Sequence, residues 1–316
     1  MNLLPITGLH HVTAICGDPQ RNHAFYTGVL GLRLVKKTVN FEDPHAYHLY
    51  YGDGAGTPGS VLTFFPYAGL PPAREGTGQV GATAFATDEA GLAYWQARLQ
   101  ENQVEVRGPM QRFDEVYIEF TDPDGLRLEI AVADAAAAFQ PWLPSPVPPV
   151  RQLRGFHCVT LAETSFELTQ ALLTHQMGWT LLRQSAGRLR YQAPGGGPAS
   201  LVDVLWQSGA RHGLPGNGTV HHVAFRVGDN AAQLAWRQTL LDFGQKVSPV
   251  KDRTYFHSIY YREPGGVLFE IATDGPGFAV DEPAEALGTA LKLPPQYEPM
   301  RRQIETTLPP VGSFPT

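Results

Sequence analysis

The chain has 316 residues, 43% of them hydrophobic and 17% charged, with a formal net charge of −6. That length can bury more than one ordinary core; the lack of any Lys/Arg run argues against nucleic acid as a partner, and no apolar stretch nears the roughly 20 residues that would span a membrane. The opening Met1-Asn2-Leu3-Leu4-Pro5 has none of the basic and apolar regions of a secretory signal, and two cysteines, Cys16 and Cys158, cannot make a disulfide framework, so a cytoplasmic protein acting on a small molecule is expected.

Four strand starts overlay along the chain: Gly8-Leu9-His10-His11-Val12-Thr13, Val80-Gly81-Ala82-Thr83-Ala84-Phe85, Gly155-Phe156-His157-Cys158-Val159-Thr160 and Thr219-Val220-His221-His222-Val223-Ala224. A helix start follows each, at Asp18-Pro19, Asp88-Glu89, Thr164-Ser165 and Asp229-Asn230. Asp before Pro is a capping residue followed by a first-turn proline. The helices should stop near Gly31, Asn102, Gly178 and Gly244, since Gly and Asn terminate helices. Strand-like runs come next, as in Arg33 to Val39, His45 to Tyr51 and Val61 to Phe65 of the first unit, and Tyr255 to Tyr261 and Val267 to Ile271 of the fourth. The unit is therefore β-α-β-β-β, four times over. Residues 1–134 hold two units, 135–152 form a stiff proline-rich linker, 153–274 hold two more, and 275–316 form a tail with a short helix over Glu298 to Thr306.

Each His-His pair lies in an apolar strand, and Glu270 lies in another, Val267-Leu268-Phe269-Glu270-Ile271. A carboxylate in such a strand needs a partner, because an unpaired buried charge is very costly. Successive strand residues face opposite ways, so one His of each pair can join Glu270 around a metal. Alone, a His-His pair is more often structural; recurrence in a repeated slot beside a strand glutamate favours the metal. Cys158 reads as a small core residue, and His23, His45, His48, His175 and His212 read as ordinary polar positions on helices or loops.

The repeat resembles the vicinal oxygen chelate superfamily of glyoxalases, bleomycin-resistance proteins and extradiol dioxygenases, and most closely its hydroquinone ring-cleaving dioxygenases. Carrying the likeness are the two His-His strands and the long segment from Asp252-Arg253-Thr254-Tyr255 through Tyr260 to Glu270. The resemblance implies an α+β fold of four βαβββ modules in two cup-shaped, mostly antiparallel sheets. It favours the second His of each pair, giving His11, His222 and Glu270 as metal ligands between units one and four. Glu129, the counterpart of Glu270 in unit two, lacks matching histidines and reads as a strand-edge carboxylate in a degenerate, scaffolding cup. By the same resemblance Arg253 anchors or balances charge, Tyr260 hydrogen-bonds the bound phenolate or oxygen, His221 transfers protons with His10 nearby, and Thr13 reaches the same cavity two residues past His11.

Two imidazoles and one carboxylate leave about three open positions on an octahedral ion, which suits Fe(II), with Mn(II) as an acceptable substitute. The implied function is aromatic-compound degradation: a ring-cleaving, extradiol-type dioxygenase taking an aromatic diol, hydroquinone or catechol, and O2. A glyoxalase-type isomerase or lyase is the alternative, though such sites carry a fourth ligand and the unit-one slot holds Thr63 or Phe64. Exposed sheet edges leave room for a homo-oligomer.

Overall fold

A computed structural model describes residues 4–133 and 139–312. Met1 to Leu3 and the linker start, Ala135 to Ala138, lie outside the described residues. Unit one supplies β1 (Leu9–Cys16), α1 (Pro19–His23), β2 (Arg33–Asn40), β3 (Asp43–Gly52) and β4 (Val61–Pro66). Unit two supplies β5 (Gln79–Thr87), α2 (Glu89–Glu101), β6 (Val106–Arg112), β7 (Glu115–Thr121) and β8 (Arg127–Val132). Unit three supplies β9 (Phe156–Glu163), α3 (Glu167–Ala171), β10 (Thr180–Ser185), β11 (Arg188–Gln192) and β12 (Leu201–Trp206). Unit four supplies β13 (Thr219–Val227), α4 (Asn230–Asp242), β14 (Lys251–Asp252), β15 (Phe256–Arg262) and β16 (Leu268–Pro276).

Two eight-stranded sheets result, in the orders β14-β15-β16-β13-β1-β4-β3-β2 and β10-β11-β12-β9-β5-β8-β7-β6. Unit one therefore shares a sheet with unit four through the antiparallel β1–β13 pair, and unit two with unit three through β5–β9. Inside each unit the first and last strands run parallel, as β1–β4 and β13–β16 do, and the other pairs are antiparallel. Neighbouring strands twist in one sense, so each sheet curls into a cup.

Helix capping follows the sequence in three units. Asp18, Asp88 and Asp229 accept from the backbone N–H of Arg21, Gly91 and Ala232 at 2.7, 2.7 and 2.8 Å. In unit three, Thr164-Ser165 does not cap; Phe166 holds that position, and the Thr164 carbonyl instead accepts from Trp206 Nε1 at 2.9 Å. The first and third helices end as π-helix, over Ala24–Val29 and Leu172–Gln176, before Gly31 and Gly178 at positive φ. The tail helix, α5, runs Arg301–Thr307, later than its sequence signal, behind a 3-10 turn that contains Pro299.

The tail closes the first cup. Phe278 packs on Tyr50 and Tyr255 with ring centroids 5.2 and 5.4 Å away, in a small core with Val35, Phe256 and Leu287. Lys36, fully buried, donates to Asp281 at 2.6 Å and to Glu282, which fixes the tail to β2 by charge as well as by apolar contact.

The two sheets meet beside an unusual acid. Glu163 ends β9 with 0% exposure and no hydrogen-bond partner on either carboxylate oxygen. It lies against Gly265 in the β15–β16 turn of the other sheet, where a Cβ would come within 2.5 Å of its Cδ. Its neighbour Glu263 takes all the local donors: Thr169 Oγ1 at 2.7 Å and the N–H groups of Gly265 and Val267 at 2.8 and 2.7 Å. Burial, then the neighbouring Glu263 charge, push the Glu163 carboxyl up to about 8.

Candidate metal centre

β1 and β13 lie side by side and β16 pairs with β13, setting Ala224 opposite both His11 and Glu270. Three buried side chains converge from these strands. His11 Nε2 lies 3.3 Å from His222 Nε2, and Glu270 Oε2 lies 3.5 and 2.9 Å from the two nitrogens. Donors about 2.1 Å from one ion at right angles sit about 3 Å apart, so these spacings match one face of an octahedron. Glu270 Oε2 is within reach of both rings but has no hydrogen bond of good geometry among the described residues, leaving a buried acceptor where the three side chains meet. The donor set thus fits a divalent cation. Among the described residues, these three form the one group of His, Cys, Asp or Glu close enough to hold a metal.

The preceding histidines orient the ligands. His10 Nδ1 is 2.9 Å from His11 Nδ1, and His221 Nδ1 is 2.8 Å from His222 Nδ1. With Nδ1–H donated to its neighbour, each candidate ligand keeps the Nε2 lone pair free. Burial, then the adjacent imidazole, lower His10 well below its usual range and His221 to about 4, so both are neutral at pH 7. Glu270 Oε1 accepts from Ser258 Oγ at 2.5 Å. Burial alone would raise its pKa; the imidazoles of His11 and His222 outweigh burial and hold it well below the carboxylate range.

The centre opens into a cavity of about 400 Å³ lined by Ile15, Phe41, Phe65, Phe256, Tyr260 and Leu268, among others. Arg253 Nε donates to the Tyr260 hydroxyl oxygen at 3.3 Å, and burial followed by the Glu270 charge raises the phenol of Tyr260. His221 lines the cavity with its ring edge-on to Phe65. Thr13 is fully buried, its hydroxyl 2.7 Å from that of Thr63, and His10 packs on Phe256. Thr63, the unit-one counterpart of Glu270, is thereby occupied.

His48 departs from the sequence reading. It lies in β3, as His45 does, within the strand-like run His45 to Tyr51 and not on a helix or loop, and it is a buried wall of the cavity. Its Nε2 is 2.8 Å from Thr63 Oγ1 and its Nδ1 2.8 Å from Tyr50 Oη. Burial lowers its pKa well below the usual value. The sequence also missed Tyr50, Ser258, Glu42 and Lys251. Strand alternation carried part of the signal: His48 shares a face with Tyr50, and Ser258 with Tyr260.

The second cup holds cations of its own. Glu129, on the interior strand β8 and not at an edge, pairs with Arg112 at 2.8 Å. Asp203 takes the place equivalent to Thr63 and pairs with Arg190 at 2.7 Å and Arg188 at 3.0 Å. Glu115 accepts from Arg190 and lies 2.8 Å from His157 Nε2. Guanidinium groups fill the space that the other cup leaves for an ion.

Residues 8–130 match the profile described as the Glyoxalase/Bleomycin resistance protein/Dioxygenase superfamily. The chain is 45% identical over 303 residues to MhqO of Bacillus subtilis (strain 168), which carries a provisional assignment as a ring-cleaving dioxygenase, with 96% of each chain covered. It is 36% identical over 312 residues, again covering 96% of each, to the chlorohydroquinone/hydroquinone 1,2-dioxygenase of Sphingobium indicum (strain DSM 16413 / CCM 7287 / MTCC 6362 / UT26 / NBRC 101211 / UT26S). A crystal structure from Bacillus subtilis subsp. subtilis str. 168, provisionally assigned as a dioxygenase, superposes with TM-score 0.93 at 44% identity over 98% of both chains. Glyoxalase I from Zea mays shares the fold alone, at TM-score 0.63 and 16% identity over 84% of this chain and 92% of that one. With full-length relatives this similar and the same paired cups, the chain belongs to the glyoxalase/bleomycin resistance protein/dioxygenase superfamily.

Proposed function

We propose that the protein is a non-haem Fe(II)-dependent, extradiol-type dioxygenase that opens a hydroquinone-type aromatic ring with O2. The observation that carries this reading is the buried His11–His222–Glu270 face, to which no fourth His, Cys, Asp or Glu among the described residues adds a ligand atom, and which looks onto an aromatic-lined cavity. Fe(II) held there would acidify a bound ring hydroxyl and connect the ring electronically to O2. The relatives named as ring-cleaving dioxygenases support the same chemistry.

The surrounding side chains have definable tasks. Phe65, Phe256 and Tyr50 clamp a flat ring and exclude water. Arg253 donates to the oxygen of Tyr260, which leaves the Tyr260 proton free to hydrogen-bond a substrate oxygen. If His222 donates through Nδ1, His221 carries its proton on Nε2. His221 is then a donor to the cavity and can accept a proton only by releasing His222. His10 and Thr13 act from behind the site, by fixing His11 and Thr63.

The test is oxygen uptake by anaerobically iron-loaded protein with a panel of hydroquinones and catechols. Uptake with loss of aromatic absorbance is expected, fastest with a hydroquinone. No uptake with any diol would overturn the reading and direct attention to glyoxalase-type isomerisation.

A further inference from the structure

Charges at the cavity mouth follow a definite plan. Glu42 lies between β2 and β3 and Lys251 begins β14, so the two come from the opposite edge strands of one curled sheet. Glu42 accepts from Arg253 Nη1 at 3.0 Å and lies 3.3 Å from Lys251 Nζ. The Arg253 side chain is only 14% exposed and stands over the rings of Phe41 and Tyr260, at 5.4 and 5.5 Å. All these residues line the cavity that contains His11 and His222. Apart from the histidines, the other lining side chains are uncharged.

A guanidinium in such a wall is a natural carboxylate receptor, because its fork matches two oxygens. Here Glu42 already engages Nη1, and the Tyr260 oxygen accepts from Nε. We infer that Glu42 is a specificity determinant: it acts as a built-in counter-ion that engages Arg253 in place of an anionic substrate, so the site favours aromatic diols without a carboxylate substituent. A carboxylated diol must either displace Glu42, losing a charge-assisted hydrogen bond, or bring a second anion beside it at the cavity mouth, where Glu42 is 52% exposed and solvent screens part of the repulsion. Specificity of this kind rests on a repulsive element as much as on attraction. The inference rests on the aromatic-diol reading above and names the charge class within it.

The experiment is anaerobic equilibrium binding of 2,5-dihydroxybenzoate and its methyl ester to the iron-loaded protein, as wild type, Glu42→Gln and Glu42→Gln/Arg253→Met. The two ligands share a ring and differ in charge. Wild type should prefer the ester. Glu42→Gln should shift the preference toward the acid by about two- to fivefold, the worth of one partly exposed ion pair. Adding Arg253→Met should abolish that shift. The inference is overturned if wild type binds the acid as well as the ester, fails to bind the ester, or keeps the same preference after Glu42→Gln. An equal weakening of both ligands would also overturn it, since that is how a purely structural latch behaves. A wild type that binds the ester but cleaves no diol in air defeats the ring-cleavage reading and leaves the charge preference to be judged on its own.

Discussion

Replacing Glu163 with Gln should stabilise the protein in alkaline solution. In the folded chain burial and the adjacent Glu263 charge push the carboxyl up to about 8, against an ordinary value of 4.5, and the two acids titrate as a pair. A folded pKa above the unfolded one favours the native state at low pH, and that advantage is lost as pH rises through about 8. At about 1.36 kcal/mol per unit, the displacement costs the wild type up to about 5 kcal/mol by pH 9 and about 3 kcal/mol at pH 7. Gln keeps the shape and removes the ionisation, but its amide hydrogens also lack partners, which takes back about 1–3 kcal/mol. A net gain of about 2 kcal/mol at pH 9 and little or none at pH 5.5 follows. Urea unfolding at pH 5.5, 7 and 9 measures it, provided m is unchanged. Wild type and Glu163→Gln with parallel stability across that range would refute the reasoning, because the buried acid would then not be the titrating group.

Other perturbations probe different parts. Alanine at His11, His222 or Glu270 should abolish stoichiometric metal binding with the circular dichroism spectrum retained; full metal content in any one would remove that residue from the ligand set. His221→Phe should weaken metal affinity by about 10–100-fold through loss of the Nδ1 contact, read by competition with a chelator. Arg112→Met should destabilise the chain by about 3–5 kcal/mol, since Glu129 is left buried and uncompensated, and adding Glu129→Gln should recover much of the loss. Phe278→Ala should cost about 3–5 kcal/mol and enlarge the space behind Tyr50, seen as a lowered melting temperature.

The repeat was legible because the units share punctuation: a strand, an Asp cap in three of the four, a Gly or Asn stop and paired strands. Glu270 stood out for the simplest reason, a charge inside an apolar strand. Pairing of unit one with unit four was accessible from the matching His slots, which place His11 and His222 in the two strands that prove to be neighbours. His48 was only partly accessible in that way: alternation sets Tyr50 on its face, but Thr63 and Phe65, which complete its buried environment, come from the neighbouring strand β4. Glu42 was hidden for a related reason. In sequence it is one more acid in a turn, and only curling of the sheet brings it to Arg253. Glu163 carried no local signal, because its isolation depends on Gly265 from the opposite sheet. The tail's position also had to come from three dimensions, with Lys36 giving no hint that its partners lie some 245 residues away.

The arginines of the second cup make its charge balance internal to the chain. Their positive charges are tethered to the chain, so Glu129 and Asp203 are neutralised as soon as the strands meet. On the metal reading, Glu270 would instead take its counter-charge from a cation in solution, so the two sheets would differ in how they depend on what the solvent supplies. Chelation, metal shortage or acidification would strike the two sheets unequally, loosening the strands around His11 and His222 while their counterparts stayed closed.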